Sequence, residues 1–176
     1  MKKIGVLALM FLLGTTALAQ NGQGHGSGRR STIVVTVEGL TCTTSAGTGM
    51  FSALTWSFGA TQTVSTTGGA GTGAGKANLS DVSVTKRTDS CSPILFGDVA
   101  TGKHIPKVTI VQQDSNRDDV FSVVLQDVII SSYQLSGSQA DEVPSEQISF
   151  NFAKITLTDA ISGTKFGWDL RLGRAF

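Results

Sequence analysis

Apolar and polar residues alternate with a period of two through Ile148, Phe150 and Phe152, with Ser149, Asn151 and Ala153 between them. A helix turns about 100° per residue and cannot keep such a set on one side, whereas a strand puts every second side chain on the same face. The pattern therefore demands a strand with one buried face, and Ile155 and Leu157 carry a similar alternation onward. The same reading applies along the chain. Strands are expected over Thr32–Glu38, Ala53–Val64, Lys76–Lys86, Lys107–Gln113, Val120–Tyr133, Glu146–Asp159 and Lys165–Leu172. In the second of these, Leu54, Trp56 and Phe58 are spaced to share a core face. Turn chemistry separates the later ones at Asp114-Ser115-Asn116, Gly137-Ser138 and Ser162-Gly163. A single helix is expected after Ser92 as N-cap, with Pro93 at its first position and Gly102 as its stop. Many strands and one short helix mean a barrel or a sandwich, not a parallel α/β sheet.

The N-terminus reads as an export signal. Lys2 and Lys3 precede an apolar run from Ile4 to Leu13, and Ala17-Leu18-Ala19 supplies the small-residue site for cleavage before Gln20. The run is too short for a membrane anchor, which needs about 20 residues. No cysteine follows the site, which argues against a lipid anchor. The expected organisation is a signal peptide over residues 1–19, a Gly-rich disordered linker over 20–31 and one domain over 32–176. Localisation is then periplasmic or secreted. Losing Lys2 and Lys3 takes the 14 basic residues to 12, against 13 acidic ones. The remainder is nearly neutral, with no basic stripe for nucleic acid. In an oxidising compartment Cys42 and Cys91 are expected to pair, closing a loop of about 50 residues worth about 4 kcal/mol. Two thiols without nearby histidines make a poor metal site.

Further motifs carry resemblance. Trp56-Ser57-Phe58-Gly59, the Gly-rich stretch ending in Gly75-Lys76, Ser92-Pro93 and Thr101-Gly102-Lys103-His104 follow in order. Asp127 to Ser132, Phe150-Asn151-Phe152-Ala153-Lys154 and Phe166-Gly167-Trp168-Asp169 complete the set. From about Ile33 to Leu172 this series resembles the haemolysin-coregulated protein family, Hcp, of type VI secretion. The resemblance implies a compact antiparallel β-barrel of two sheets with one short flanking α-helix. It also implies hexameric rings that stack into a tube carrying or chaperoning effectors, so the expected partners are further copies of the chain and secreted effectors. The family's long inter-ring loop corresponds to Thr61–Lys76, with Thr61, Thr66, Gly69, Gly71, Gly73, Gly75 and Lys76 as its marker residues. The export signal, linker and cysteine pair depart from the family's cytoplasmic pattern. They leave open a second reading, an exported Hcp-like domain that binds a surface or ligand without forming tubes.

No catalytic, cofactor or metal set is expected. The Gly68–Lys76 run fails as a phosphate loop: Ala70 stands at its first Gly position and Ala77 at its Ser/Thr position. His104, beyond the linker the chain's one histidine, has no nucleophile or orienting carboxylate near it in sequence, and reads as capping or packing at the helix end. Asp114-x-Asn116-x-Asp118 lacks the Gly and Glu of a calcium loop, Asp119 and Leu125 occupying those places. Asp141-Glu142 reads as a solvated turn, and Asn78-Leu79-Ser80 as a glycosylation sequon without context.

Overall fold

A computed structural model describes residues 30–65 and 73–176. Thirteen strands and one helix are formed among them. They are β1 (Thr32–Val37), β2 (Thr43–Thr44), β3 (Gly47–Thr48), β4 (Met50–Ala53), β5 (Thr55–Ser57), β6 (Ala60–Ser65), β7 (Gly73–Leu79) and β8 (Val82–Arg87), then α1 (Ser92–Thr101). After the helix come β9 (His104–Gln113), β10 (Asp119–Ser136), β11 (Ser145–Asp159), β12 (Lys165–Asp169) and β13 (Arg174–Ala175). The main sheet runs β13-β12-β11-β10-β9-β1-β4, all antiparallel. β11 pairs with β10 along one edge and with β8 and then β12 along the other, and β8 in turn pairs with β5. Since Leu54 alone separates β4 from β5, the sheet curls back on itself through this one strand. The hydrogen-bonded ladder changes partner there instead of running unbroken around the barrel.

That change of partner explains a misplaced residue. Leu54 was expected on the core face with Trp56 and Phe58, yet it is 53% exposed. Its amide donates to Thr85 O (2.8 Å) as the chain swings from β1 to β8, and the bend turns its side chain outward. Trp56 and Phe58 do pack on the core. The single strand expected over Lys76–Lys86 is likewise two, parted at Ser80, whose side chain and amide both bond to Gly59.

The phase of burial shifts by one residue in one row across three neighbouring strands, both sets joining a single core. Val108, Leu125 and Ile155 are aligned and buried; so are Ile105, Val128 and Phe152, three residues away in each strand instead of two or four. Between them lie Pro106, which has no amide for the ladder, and Asp127, whose φ is +54°. Residues from both sides of that row, Val35 and Phe51 from one and Ile148 and Phe150 from the other, join one core cluster.

The helix differs from expectation at its start. Its N-cap is Cys91, without a side-chain cap bond, and Ser92 belongs to the first turn. The Ser92 hydroxyl instead accepts from the Asp89 amide and from Lys86 Nζ. Gly102 closes the helix with φ +63°, as expected of a C′ glycine.

Candidate functional site

Three surfaces stand out. The first is the β6–β7 ribbon. Ala60 faces Leu79 and Ser65 faces Gly73, and neither strand pairs with the main sheet. Thr61 lies in β6, where its hydroxyl reaches Asn78 O (3.5 Å). Gly73, Gly75 and Lys76, expected in an extended loop, lie in β7, since a glycine backbone can join a ladder as well as any other. Thr66, Gly69 and Gly71 fall outside the described residues.

The second is an apolar groove of about 410 Å³ under this ribbon, lined by Phe58, Leu79, Leu157, Phe166 and Trp168. The Phe166 and Trp168 rings stack with centroids 6.4 Å apart. The shift of burial phase in β11 directs Ile155 and Leu157 into this groove.

The third surrounds the start of α1. Cys42 and Cys91 form a disulfide with a Cα–Cα distance of 5.0 Å, and both are buried. Beside it Lys86 and Glu146, cross-strand partners on β8 and β11, form an ion pair of 2.7 Å with neither side chain exposed. Lys86 also reaches Asp89 (2.9 Å) and lies 5.1 Å from the Phe51 ring centre. Tyr133 donates its hydroxyl to the other Glu146 oxygen. Burial, and then this bond to Glu146, pushes the Tyr133 phenol well above its usual range. The Lys86 ammonium and both Glu146 oxygens are partnered, so the buried pair fixes geometry instead of offering a free acid or base. Sequence reading missed it, although Lys86 is in phase with Val82 and Val84, and Glu146 with Ile148 and Phe150.

His104 opens β9 and does not cap the helix. The free carbonyls of Asp98 and Val99 are taken by the amides of Lys103 and Gly102. Its Nε2 instead lies 3.7 Å from Asp127, which also binds Arg171 at 2.8 Å. Asp114 holds its turn by accepting the Asn116 and Asp118 amides. Among the described residues no cluster of His, Cys, Asp or Glu suits a metal ion.

The family described as "Type VI secretion system effector, Hcp" matches residues 32–158. The chain belongs to the Hcp family. Protein hcp1 of Pseudomonas aeruginosa is 34% identical over 108 residues, covering 54% of this chain and 67% of that one. The crystal structure of Hcp1 from Salmonella typhimurium aligns with a TM-score of 0.70 at 22% identity, covering 84% of this chain and 99% of the other. A structure described as a type six secretion system protein aligns at 0.72 and 21% identity, covering 82% and 99%. Membership makes the chain a type VI secretion tube component, and its mostly antiparallel β fold with one helix is that of the solved Hcp structures, although its ladder does not close into a barrel. No helix among the described residues is long and apolar enough to cross a membrane.

The Hcp match ends at residue 158, just before the turns that hold β12 and β13. Asp169 accepts the amides of Leu172 and Arg171, and Asp159 those of Ile161 and Ser162. The Leu172 amide first, then the Arg171 amide and the charges of Lys154 and Arg171, hold the Asp169 carboxyl below its ordinary 3.8. The Ser162 side chain and amide, with that of Ile161, do the same for Asp159. A carboxyl lowered on folding stabilises above its unfolded value, and that contribution is lost as pH falls through the folded value. The thermal midpoint should therefore fall below about pH 4, and less steeply in Asp169→Asn. Melting curves across that range check it; equal slopes for the two chains would reject it.

Proposed function

We propose that this Hcp chain works as a ring-forming tube subunit after export across the inner membrane, its signal peptide removed near Ala19-Gln20. The observation that carries the reading is the β6–β7 ribbon, which among the described residues joins no other strand and lies beside an apolar groove. Uncovered apolar surface favours association through a symmetric or stacked contact. Rings of six copies, stacking through the Thr61–Lys76 segment, are the arrangement the family suggests, with secreted effectors as cargo. Catalysis has no part in this role. The supporting chemistry is the fully partnered cluster at Lys86 and the lack of any nucleophile–base set in the sequence.

Light scattering of the exported chain, coupled to size-exclusion chromatography, tests the proposal. A particle of about six subunit masses is expected. A monomer that persists at high concentration would instead favour the exported binding module, for which the uncovered groove with Phe166 and Trp168 would be the site.

A further inference from the structure

The disulfide sits at a junction that little else secures. Helix α1 fully buries a single apolar side chain, Leu95, with Ile94 and Val99 partly covered, and its N-terminus has no side-chain cap. Its first turn is held instead by polar links. Ser90 Oγ donates to Thr43 O (2.7 Å), the Cys91 amide donates to Asp89 (2.8 Å), and Ser92 and Asp89 both face Lys86. On the outer side of the same turn Phe96 and Leu135, 58% and 60% exposed, flank Tyr133, and the Phe96 ring meets Tyr133 edge-on at 5.7 Å.

We propose that the Cys42–Cys91 disulfide is a redox latch that fixes the first turn of α1 to the barrel and so sets the Phe96–Tyr133–Leu135 surface. In the dithiol state the β1–β2 connection bearing Cys42 and the helix start bearing Cys91 keep the Ser90–Thr43 hydrogen bond and the packing of their small buried side chains, but no covalent link. The turn then opens independently of the rest of the barrel, water reaches Lys86 and Glu146, and Phe96 loses its fixed position against Tyr133. Closing the latch transfers two electrons and two protons from the cysteine thiols to a disulfide-bearing oxidant. One thiolate attacks the oxidant's disulfide and releases one of its sulfurs as a thiolate; the second attacks the protein sulfur of the mixed disulfide and expels the other, so the oxidant leaves as its dithiol. With Cys42 5% and Cys91 0% exposed, a small reductant does not reach the closed bond. The latch therefore closes once, where oxidant is available, and stays closed.

Tyr133 is the sole tyrosine of the chain, which makes it a direct reporter. The full exported chain is compared in oxidised form, in dithiol form refolded under reductant, and as Cys42→Ala/Cys91→Ala. Hydrogen exchange is followed by mass spectrometry, and tyrosinate absorbance by pH titration. In both forms lacking the bond, amides of residues 89–96 should lose about tenfold more protection than those of β10 and β11, which lose only what the lower global stability removes. The tyrosinate transition should move down toward the ordinary phenol range near 10. Equal exchange at 89–96 in all three forms would overturn the latch. So would an equal loss of protection at 89–96 and throughout the barrel, which would make the bond a general staple, or a dithiol form that differs from the alanine pair.

Discussion

Replacing Glu146 with alanine should lower the stability of the folded chain by about 3–5 kcal/mol, because it strands the Lys86 ammonium in the core. The magnitude follows from burial. Both side chains are wholly inaccessible, so Lys86 has given up its water and relies on Glu146 at 2.7 Å and Asp89 at 2.9 Å for compensation. Asp89 is 28% exposed, and its carboxylate also accepts the Cys91 amide, so it cannot take over the lost partner's role. The Phe51 ring adds a cation–π contact that is too weak to replace a carboxylate. Chemical denaturation should show the loss as a lower midpoint at an unchanged slope. A double change, Lys86→Met with Glu146→Leu, removes the stranded charge and should recover most of the loss, since an apolar pair of similar volume avoids the desolvation cost. If Glu146→Ala alone costs less than about 1 kcal/mol, the pair is hydrated and its burial is wrong.

The same residues show why the sequence reveals some of this molecule and conceals the rest. A period of two in Ile148, Phe150 and Phe152 is local, and all three side chains are buried as it requires. Glu146 continues that phase inward, as Lys86 continues the phase of Val82 and Val84, but a charged residue at a strand end reads as solvated when seen alone. Only the pairing of β8 with β11, set by contacts 60 residues apart, brings the two charges together and makes their burial tolerable. Leu54 fails for a related reason, since its outward turn depends on which strand accepts β4 and which accepts β5. The shift of burial phase at Pro106 and Asp127 is faintly legible. Leu125 to Val128 and Phe152 to Ile155 each show a three-residue step, but its meaning depends on the alignment of three strands. The ribbon is the converse case. Glycine and threonine offered no apolar period to read, and Gly73–Leu79 nonetheless pairs with Ala60–Ser65 through backbone groups that every sequence carries. Motif resemblance made the family legible where periodicity did not, because Trp56-Ser57-Phe58-Gly59 and Phe166-Gly167-Trp168-Asp169 mark positions, not propensities.

Removing the disulfide should cost nearly as much as breaking the ion pair, by a different route. The bond links residues 49 apart, and in the chain-entropy model a loop of that length restricts the unfolded chain by about 4 kcal/mol. The loop spans β2 to β8, so the restriction falls on the β6–β7 ribbon, outside the main sheet, as well as on core strands β4, β5 and β8. Glu146→Ala acts on the folded state, whereas loss of the bond acts chiefly on the unfolded one, and the two are separable in a single experiment. Freed of the cross-link, the unfolded chain expands and exposes more surface, so Cys42→Ala/Cys91→Ala should steepen the denaturant slope as well as lower the midpoint. The thermal midpoint should fall by about 10 °C in a domain of this size. The two changes share the neighbourhood of Asp89, which accepts the Cys91 amide and faces Lys86, so the combined variant should lose less than the sum if the latch shields the ion pair, because water admitted by the open turn relieves the stranded ammonium. A strictly additive combination would separate the bond from the charges, and would leave the disulfide acting on the unfolded chain alone.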